Sequence, residues 1–208
     1  MIEVKSVSKS FGRVHALSET SLTIPEGKTV GVLGPSGSGK TTLLRIIAGF
    51  EYPSSGEVRI DGVLASTSEM VIEPHKREIT AVFQTPALWP NMTIRENIEY
   101  VQPSKDSVKL LEKVGLNGLA DRYPNELSGG EARRASIVRA LVAEKKYLLL
   151  DEPLVNLNPE LKDVLHEVIV EETKSRGMGV LYISHDASEL EYADIHYNMR
   201  FGENAEEQ

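Results

Sequence analysis

A glycine-rich stretch that ends in a lysine and two threonines offers the most specific chemistry in this sequence. It fits the pattern G-x4-G-K-[ST] and reads Gly34, Pro35, Ser36, Gly37, Ser38, Gly39, Lys40, Thr41 and Thr42. Glycines let successive backbone N–H groups converge on an anion, and a helix that starts here adds the positive end of its dipole. The pattern predicts a nucleotide site in which Lys40 reaches the β- and γ-phosphates and the Thr41 hydroxyl binds Mg²⁺. The alternative is an ordinary Gly/Ser-rich turn between a strand and a helix.

Two adjacent carboxylates support the nucleotide interpretation. Asp151 and Glu152 follow an apolar run, so they leave a buried strand at its carboxyl end, where doubly wound sheets bind their ligands. Asp151 can hold the Mg²⁺ shell through water, and Glu152 is placed to polarise an attacking water. A strand that merely ends in an acidic turn before Pro153 is the alternative, and it would be preferred if the glycine-rich stretch were absent.

Strand-like and helix-like runs alternate along most of the chain, which predicts an α/β fold with a mostly parallel sheet. Three runs are continuously apolar and are expected to be central parallel strands covered on both faces: residues 29–33, 147–150 and 180–184. Shorter strands are expected at residues 2–7, 22–24, 57–61 and 80–83.

The chain is expected to be a single domain, residues 1–208, with a helical subdomain inserted in it. Between about residues 91 and 141 the strand pattern disappears and helix-like stretches replace it. Later in the chain, Asn158 and Pro159 have the residue types of a helix N-cap and a first helical position.

The composition excludes several classes of protein. The 208 residues carry a formal net charge of −8 and include no cysteine, so there is no disulfide framework and no thiolate for metal binding or catalysis. No run of about 18 apolar residues could span a membrane. The acidic charge argues against broad nucleic-acid binding, which depends on neutralising phosphates.

A second pair of glycines indicates which kind of nucleotide machine this is. Residues 127–131 read Leu-Ser-Gly-Gly-Glu, and Ala-Arg-Arg-Ala-Ser-Ile-Val-Arg-Ala-Leu follows. Ser128 and Glu131 have the pattern of a capping box, which leaves unexplained the two glycines that would let backbone amides approach a phosphate. A guanine-reading Asn-Lys-x-Asp motif is absent. Here the chain resembles the nucleotide-binding subunit of ATP-binding cassette (ABC) transporters, and the resemblance extends from Ile2 to about Asp194.

The resemblance implies a P-loop ATPase core with a mostly parallel sheet, an N-terminal antiparallel β subdomain and the inserted helical subdomain. It implies ATP and Mg²⁺ as ligands, and hydrolysis of ATP to ADP and phosphate between two head-to-tail subunits. The glycine-rich stretch would bind the phosphates of one ATP. Ser128, Gly129 and Gly130 would bind the γ-phosphate of the ATP held by the other subunit.

The remaining site residues are also implied by the resemblance. Phe11 would stack on adenine, although a core phenylalanine is an equal alternative. Gln84 would sense Mg²⁺ and face a membrane partner. Together with Thr41 and Asp151, it completes the set of residues expected at the metal. His185 would contact the γ-phosphate and orient the water, although a lone histidine at a strand end is more often structural. The catalytic residues would then be Lys40, Glu152 and His185.

Three features depart from the pattern of the family. Glu131 stands where the family usually has glutamine, and because phosphate would repel its carboxylate we expect it to turn back to the backbone N–H groups of its own helix. Val155 and Asn158 replace the serine and aspartate common in importers, which puts in doubt how this loop couples two ATP sites. The segment between Asn97 and Leu127 is expected to be shorter than usual.

The segment 82–98 resembles the corresponding region of importers for small solutes and ions, and it contains the single tryptophan, Trp89. The expected partners are a transmembrane permease, a second copy of this subunit and a solute-binding protein, with no nucleic acid. The expected location is cytoplasmic, at the inner face of the cell membrane. The alternative function is a soluble ABC-type ATPase that works with a cytosolic assembly scaffold.

Overall fold

The fold is built on two β-sheets, and the smaller one comes from the first third of the chain. This computed structural model describes residues 1–103, 107–200 and 206–207. The strands of the smaller sheet are β1 (Ile2–Phe11), β2 (Val14–Ile24), β4 (Ser55–Ile60) and β5 (Val63–Ser66). They pair antiparallel in the order β2-β1-β4-β5. This sheet confirms the expected antiparallel N-terminal unit, but β1 and β2 are longer than expected and β5 was not expected.

Six strands of the described residues form the larger sheet. They are β3 (Thr29–Leu33), β6 (Ile79–Val82), β7 (Tyr147–Asp151), β8 (Gly179–Ser184), β9 (Ile195–Asn198) and β10 (Glu206–Glu207). Their order is β10-β9-β3-β8-β7-β6, and all neighbours are parallel except β10 and β9. The three continuously apolar runs are therefore adjacent strands in the middle of a mostly parallel sheet, as predicted.

Five α-helices lie within the described residues. They are α1 (Lys40–Ala48), α2 (Ile94–Glu99), α3 (Ser107–Lys113), α4 (Gly129–Val142) and α5 (Pro159–Ser175). Short 3₁₀ turns occur at Pro74–Lys76, Pro124–Glu126 and Ala187–Leu190. Helices α2, α3 and α4 follow one another between β6 and β7, and no strand interrupts them in the described part of this segment. The division into one domain with a subdomain at 91–141 stays a prediction.

The two faces of the larger sheet support two apolar clusters. Along β7, Leu148 and Leu150 join a cluster with α2, α3, α4 and α5, whereas Leu149 joins the other cluster with α1 and the smaller sheet. This alternation follows from the period of two in a strand, and every residue of β7 and β8 is buried. Burial on both faces explains why these strands are continuously apolar in the sequence.

A buried arginine anchors the carboxyl end of α1. Arg77 is 3% exposed, and its guanidinium donates to the carbonyls of Ile46, Ile47 and Ala65 and to the hydroxyl of Ser66. Burial lowers the pKa of Arg77 to about 10, which leaves the side chain positively charged at neutral pH. Helix ends leave their last carbonyls without partners, so Arg77 stabilises α1 by satisfying them and by tying it to β5.

Replacing Arg77 by methionine tests this anchor. We expect Arg77→Met to lower the free energy of unfolding by about 3 kcal/mol, because buried carbonyls lose a charged donor. Urea unfolding followed by circular dichroism measures the change. The matched control is Arg59→Met, since Arg59 pairs with Glu57 near the surface and its loss should leave the midpoint unchanged. Equal midpoints for the two variants would contradict the role of Arg77.

Candidate active site

The glycine-rich stretch forms one wall of a cavity of about 410 Å³. The stretch connects β3 to α1, so the cavity lies at the carboxyl edge of the larger sheet, as predicted. The described residues that line the cavity are Val14, His15, Ala16, Ser36, Gly37, Gly39, Lys40, Thr41, Thr42, Gln84 and Glu152. Gln84 and Glu152 are thus brought to the glycine-rich stretch from distant parts of the chain.

Helix α1 begins without a side-chain cap. Gly39 is its N-cap residue, with φ of 98°, and no side chain accepts a hydrogen bond from the first turn. By contrast, Thr93, Ser128 and Asn158 cap α2, α4 and α5 through their side-chain oxygens. A Cβ atom at position 39 would lie 2.5 Å from the carbonyl oxygen of Ala16, so only glycine fits there. The first amides of α1 are therefore left for an anion in the cavity.

Lys40 is held inside the glycine-rich stretch by the chain itself. Its Nζ donates to the carbonyl oxygens of Gly34 at 2.6 Å and Pro35 at 2.9 Å. Burial lowers the pKa of Lys40, while the carboxylates of Glu152 and Asp151 act in the opposite direction. A phosphate entering the cavity would offer the ammonium group a charged acceptor in place of two neutral carbonyls.

Asp151 has the environment of a metal ligand. It is 2% exposed, and burial raises its pKa, partly offset by a hydrogen bond from Thr41 and by the charges of Lys40 and Arg133. Within the described residues, four buried side-chain polar atoms have no hydrogen-bond partner, and two of them are Asp151 Oδ2 and Ser38 Oγ. A buried carboxylate oxygen without a partner, next to a threonine hydroxyl, fits a site for Mg²⁺.

Glu152 and His185 contact each other at the edge of the cavity. The Nδ1 atom of His185 lies 3.2 Å from Glu152 Oε1, and the imidazole is half-exposed. The backbone of Glu152 has φ of 48°, which is uncommon for a residue with a side chain, and its N–H donates to the carbonyl of Ile183 at 2.9 Å. The carboxylate and the imidazole can therefore hold one water between them and the end of a bound phosphate chain.

The capping box at the start of α4 is present. Glu131 Oε2 accepts hydrogen bonds from the backbone N–H of Ser128 and from its hydroxyl, both at 2.7 Å. These bonds lower the pKa of Glu131, so the carboxylate is ionised. The expectation that Glu131 turns back to its own helix is confirmed.

The segment Ser128 to Gly130 does not line the cavity of its own chain. A Cβ atom at Gly129 would meet no atom of this chain within 4 Å, and Ser128 is largely exposed. The fold of this chain therefore does not require glycine at position 129. Open space next to a helix N-terminus is instead what a second molecule would need for close approach.

Phe11 lies at the end of β1, beside the cavity but not in its lining. It is 49% exposed, so the alternative of a core phenylalanine is wrong. The β1–β2 register places Phe11 opposite Val14, and Val14, His15 and Ala16 line the cavity. Sequence reasoning missed these three residues; the turn between two strand-like runs next to Phe11 was the signal that could have found them.

Sequence reasoning also missed Arg133. One of its terminal nitrogens, Nη1, donates to the carbonyl oxygen of Glu152 at 2.8 Å, and the other, Nη2, donates to the carbonyl oxygen of Gln84. Nothing in the local pattern around Arg133 indicates either contact, because both acceptors are backbone atoms of distant loops. Asn158, in contrast, caps α5 as predicted, with Oδ1 accepting from the N–H of Leu161 at 2.9 Å.

These features agree with comparisons to known proteins. The family profile described as "ABC transporter" matches residues 17–155. The chain belongs to the ABC transporter family. Among the described residues of this ABC cassette, no group of three His, Cys, Asp or Glu side chains is arranged to hold a metal ion.

Curated relatives of this ABC cassette include three import ATP-binding proteins. The spermidine/putrescine import protein PotA of Chromobacterium violaceum is 40% identical over 198 residues, which cover 91% of this chain and 54% of PotA. The glucose import protein GlcV of Saccharolobus solfataricus is 40% identical, with 91% and 57% covered. The Fe(3+) import protein FbpC of Escherichia coli O157:H7 is 40% identical, with 90% and 56% covered. The chain spans about half the length of these relatives.

Solved structures of ABC cassettes share the whole fold. The dimeric structure of the cassette MJ0796 matches with a TM-score of 0.88 at 28% identity, covering 100% of this chain and 98% of that one. A dimeric post-hydrolysis state of MJ0796 bound to ADP and Pi matches with a TM-score of 0.85. Within residues 1–103, 107–200 and 206–207, every helix is too short or too polar to span a lipid bilayer.

Removing the ammonium group of Lys40 tests the nucleotide site. We expect Lys40→Ala to weaken ADP binding about 10- to 100-fold, because a charged hydrogen bond to phosphate is lost. Isothermal titration calorimetry with Mg-ADP measures the affinity without turnover. Lys5→Ala is the matched control, since Lys5 pairs with Glu3 on β1 and does not line the cavity, so its loss should not change the affinity. Unchanged affinity in Lys40→Ala would refute the assignment of the cavity.

Proposed function

We propose that this chain is the ATP-binding and ATP-hydrolysing subunit of an ABC importer and that it works as a dimer with two ATP molecules at the interface. One observation carries the proposal. The cavity of one chain brings together the glycine-rich stretch, Gln84 and Glu152, whereas Ser128 to Gly130 lie outside it with open space in front of Gly129. A head-to-tail pair of chains would supply the missing wall of each cavity.

The proposed ligands are ATP and Mg²⁺, and each part of the nucleotide has a matching group. The phosphates would occupy the uncapped start of α1, with Lys40 moving from the carbonyls of the stretch to the β- and γ-phosphates. Adenine would stack on the exposed ring of Phe11. Thr41, Gln84 and Asp151 would hold Mg²⁺, which neutralises charge on the phosphates when bound.

Hydrolysis of ATP requires a water in line with the γ-phosphate. Glu152 would polarise this water, and His185, whose Nδ1 contacts the Glu152 carboxylate, would orient it and contact the γ-phosphate. Lys40 would stabilise the negative charge that develops on the leaving ADP. The products are ADP and phosphate, and once the phosphate leaves, the proposed contact of Ser128 to Gly130 of the other chain with the γ-phosphate is lost.

The second chain would contribute Ser128, Gly129 and Gly130 to the same γ-phosphate. The backbone amides at the start of α4 and the Ser128 hydroxyl are suitable donors for an anion. In this chain the Ser128 hydroxyl donates to the carboxylate of Glu131. The γ-phosphate of the ATP held by the other chain must therefore compete with that carboxylate for the Ser128 hydroxyl. Glu131 thus weakens the closed dimer relative to a neutral residue.

The proposed membrane partner would dock on an aromatic surface next to Gln84. Trp89 and Tyr100 are 36% and 70% exposed, and their ring centroids are 5.2 Å apart. The guanidinium of Arg139 lies 4.5 Å from the centre of the Trp89 ring, and the buried amide of Asn97 binds the backbone of the Trp89 loop. A rigid, exposed aromatic pair of this kind is typical of protein interfaces.

The printed names of the relatives favour a permease over an assembly scaffold as the partner, since all three are import proteins. Their substrates differ, namely spermidine or putrescine, glucose and Fe(3+), so small solutes and ions are the proposed class. A solute-binding protein is a proposed further component. The proposed location is cytoplasmic, at the inner face of the cell membrane, and the net charge of −8 supports the absence of nucleic-acid binding.

Replacing the Glu152 carboxylate by an amide tests the hydrolytic step. We expect Glu152→Gln to bind ATP with unchanged affinity, to lower the turnover number about 100-fold or more and to accumulate as a dimer with ATP. Phosphate release and gel filtration with and without ATP measure these changes. Glu191→Gln is the control, because Glu191 lies at the surface after the third 3₁₀ turn. A wild-type rate of hydrolysis in Glu152→Gln would remove this residue from the catalytic role.

Mixing two inactive chains tests the shared site. We expect Ser128→Arg and Lys40→Ala to be inactive alone, because each homodimer lacks one half of both sites. A 1:1 mixture should recover about one quarter of the wild-type rate, since half of random dimers are mixed and each has one complete site. Phosphate release measures the rate. ATPase activity of Ser128→Arg alone, or no recovery of activity on mixing, would contradict the proposal that two chains share each ATP site.

A further inference from the structure

We propose that Arg133 is a positioning residue that couples the start of α4 to Gln84 and Glu152 of the same chain, so that contact of α4 with the second chain aligns the catalytic groups. This inference rests on the function proposed above. It assigns to Arg133 a role in the timing of hydrolysis, separate from nucleotide binding, because Arg133 does not line the cavity.

The two hydrogen bonds of Arg133 join two separate loops. The guanidinium donates through Nη1 to the carbonyl of Glu152, after β7, and through Nη2 to the carbonyl of Gln84, after β6. Arginine presents its donors in a planar fork, so one rigid group can hold both carbonyls at a fixed separation. Lysine carries a point charge on a flexible stem and could not hold the same pair in one geometry.

The backbone of Glu152 needs external contacts to stay as it is. Its φ of 48° lies in the left-handed region, which costs energy for a residue with a side chain. Ile183 accepts from its N–H, and Arg133 donates to its carbonyl, so both sides of the strained residue are held. The Arg133 bond is the one of these two that comes from α4, and it therefore transmits the position of α4 to the carboxylate of Glu152.

The charge of Arg133 also bears on the two carboxylates. Burial lowers its pKa, but the nearby carboxylates of Glu152 and Asp151 favour the cation. Arg133 in turn is one of the groups that lower the pKa of Asp151 against the effect of burial. A shift of α4 would change this attraction as well as the two hydrogen bonds.

Helix α4 connects Arg133 to the surface that would face the second chain. Ser128 caps α4, and Arg133 follows five residues later, about 7.5 Å along the helix axis. The helix is continuous from Gly129 to Val142, and Ile137, Val138 and Leu141 are fully buried, so its start and Arg133 belong to one packed helix. Contact of the second chain with Ser128 would therefore fix the position of Arg133. Through its two hydrogen bonds, Arg133 would then fix the loops that contain Gln84 and Glu152.

Kinetics of the full 208-residue chain separate positioning from binding. We expect Arg133→Gln to lower kcat about 10- to 100-fold, while KM for ATP and the Kd for Mg-ADP stay within about twofold of wild type. Arg133→Lys should give an intermediate kcat. Arg95→Gln is the control, since Arg95 pairs with the exposed Asp121 and its loss should leave kcat unchanged. Full activity of Arg133→Gln, or a loss of affinity as large as the loss of kcat, would overturn the proposal.

Hydrogen exchange gives a readout that a merely structural role would not change. In Glu152→Gln, ATP should slow exchange in residues 34–42, 84–88 and 152–157. In the double variant Arg133→Gln with Glu152→Gln, we expect protection of 34–42 to remain and that of the other two segments to be lost. Equal protection in both chains would overturn the role of Arg133. If the wild type shows neither ATPase activity nor an ATP-dependent dimer, the proposed function fails and this inference fails with it. If the wild type shows both and Arg133→Gln behaves like the wild type, only the role of Arg133 fails.

Discussion

The unsatisfied amides at the start of α1 are the constraint around which the site is built. Helices normally fill these positions with a side-chain cap, as α2, α4 and α5 do, but Gly39 offers no side chain. Glycine is also required because the backbone of Ala16 passes close to it. The other end of the helix is secured by Arg77, so α1 can keep an incomplete first turn and still hold its position.

Electrostatics in the cavity complement this incomplete turn. Burial lowers the pKa of Lys40 and raises that of Asp151, so burial disfavours the charged form of each group. Each also stabilises the charge of the other, and Glu152 adds a further negative charge near Lys40. Opposite charges and the two backbone carbonyls that accept from Lys40 thus offset part of the effect of burial in the cavity.

The first two turns of helix α4 contain two different features: the exposed start of the helix and the hydrogen bonds of Arg133. At its N-terminus Ser128 is exposed and the space at Gly129 is open, while Arg133 holds backbone carbonyls inside its own chain. Glu131 completes the capping box, which satisfies backbone N–H groups at the helix start within the chain itself. One helix thus connects the exposed start at Ser128 to the loops of Gln84 and Glu152.

Features that depend on near neighbours along the chain were predictable from the sequence. These are the glycine-rich stretch, the three central strands, the capping box of Ser128 and the cap of Asn158, since turn chemistry, apolar runs and caps act over a few residues. Strands β1 and β2 were underestimated because register shifts in their pairing break the alternating pattern. The folded chain was needed to reveal the contacts of Arg77 and Arg133 and the place of His15 at the cavity. Those contacts join residues far apart in the chain, often to backbone carbonyls, which every residue type possesses and no sequence pattern marks.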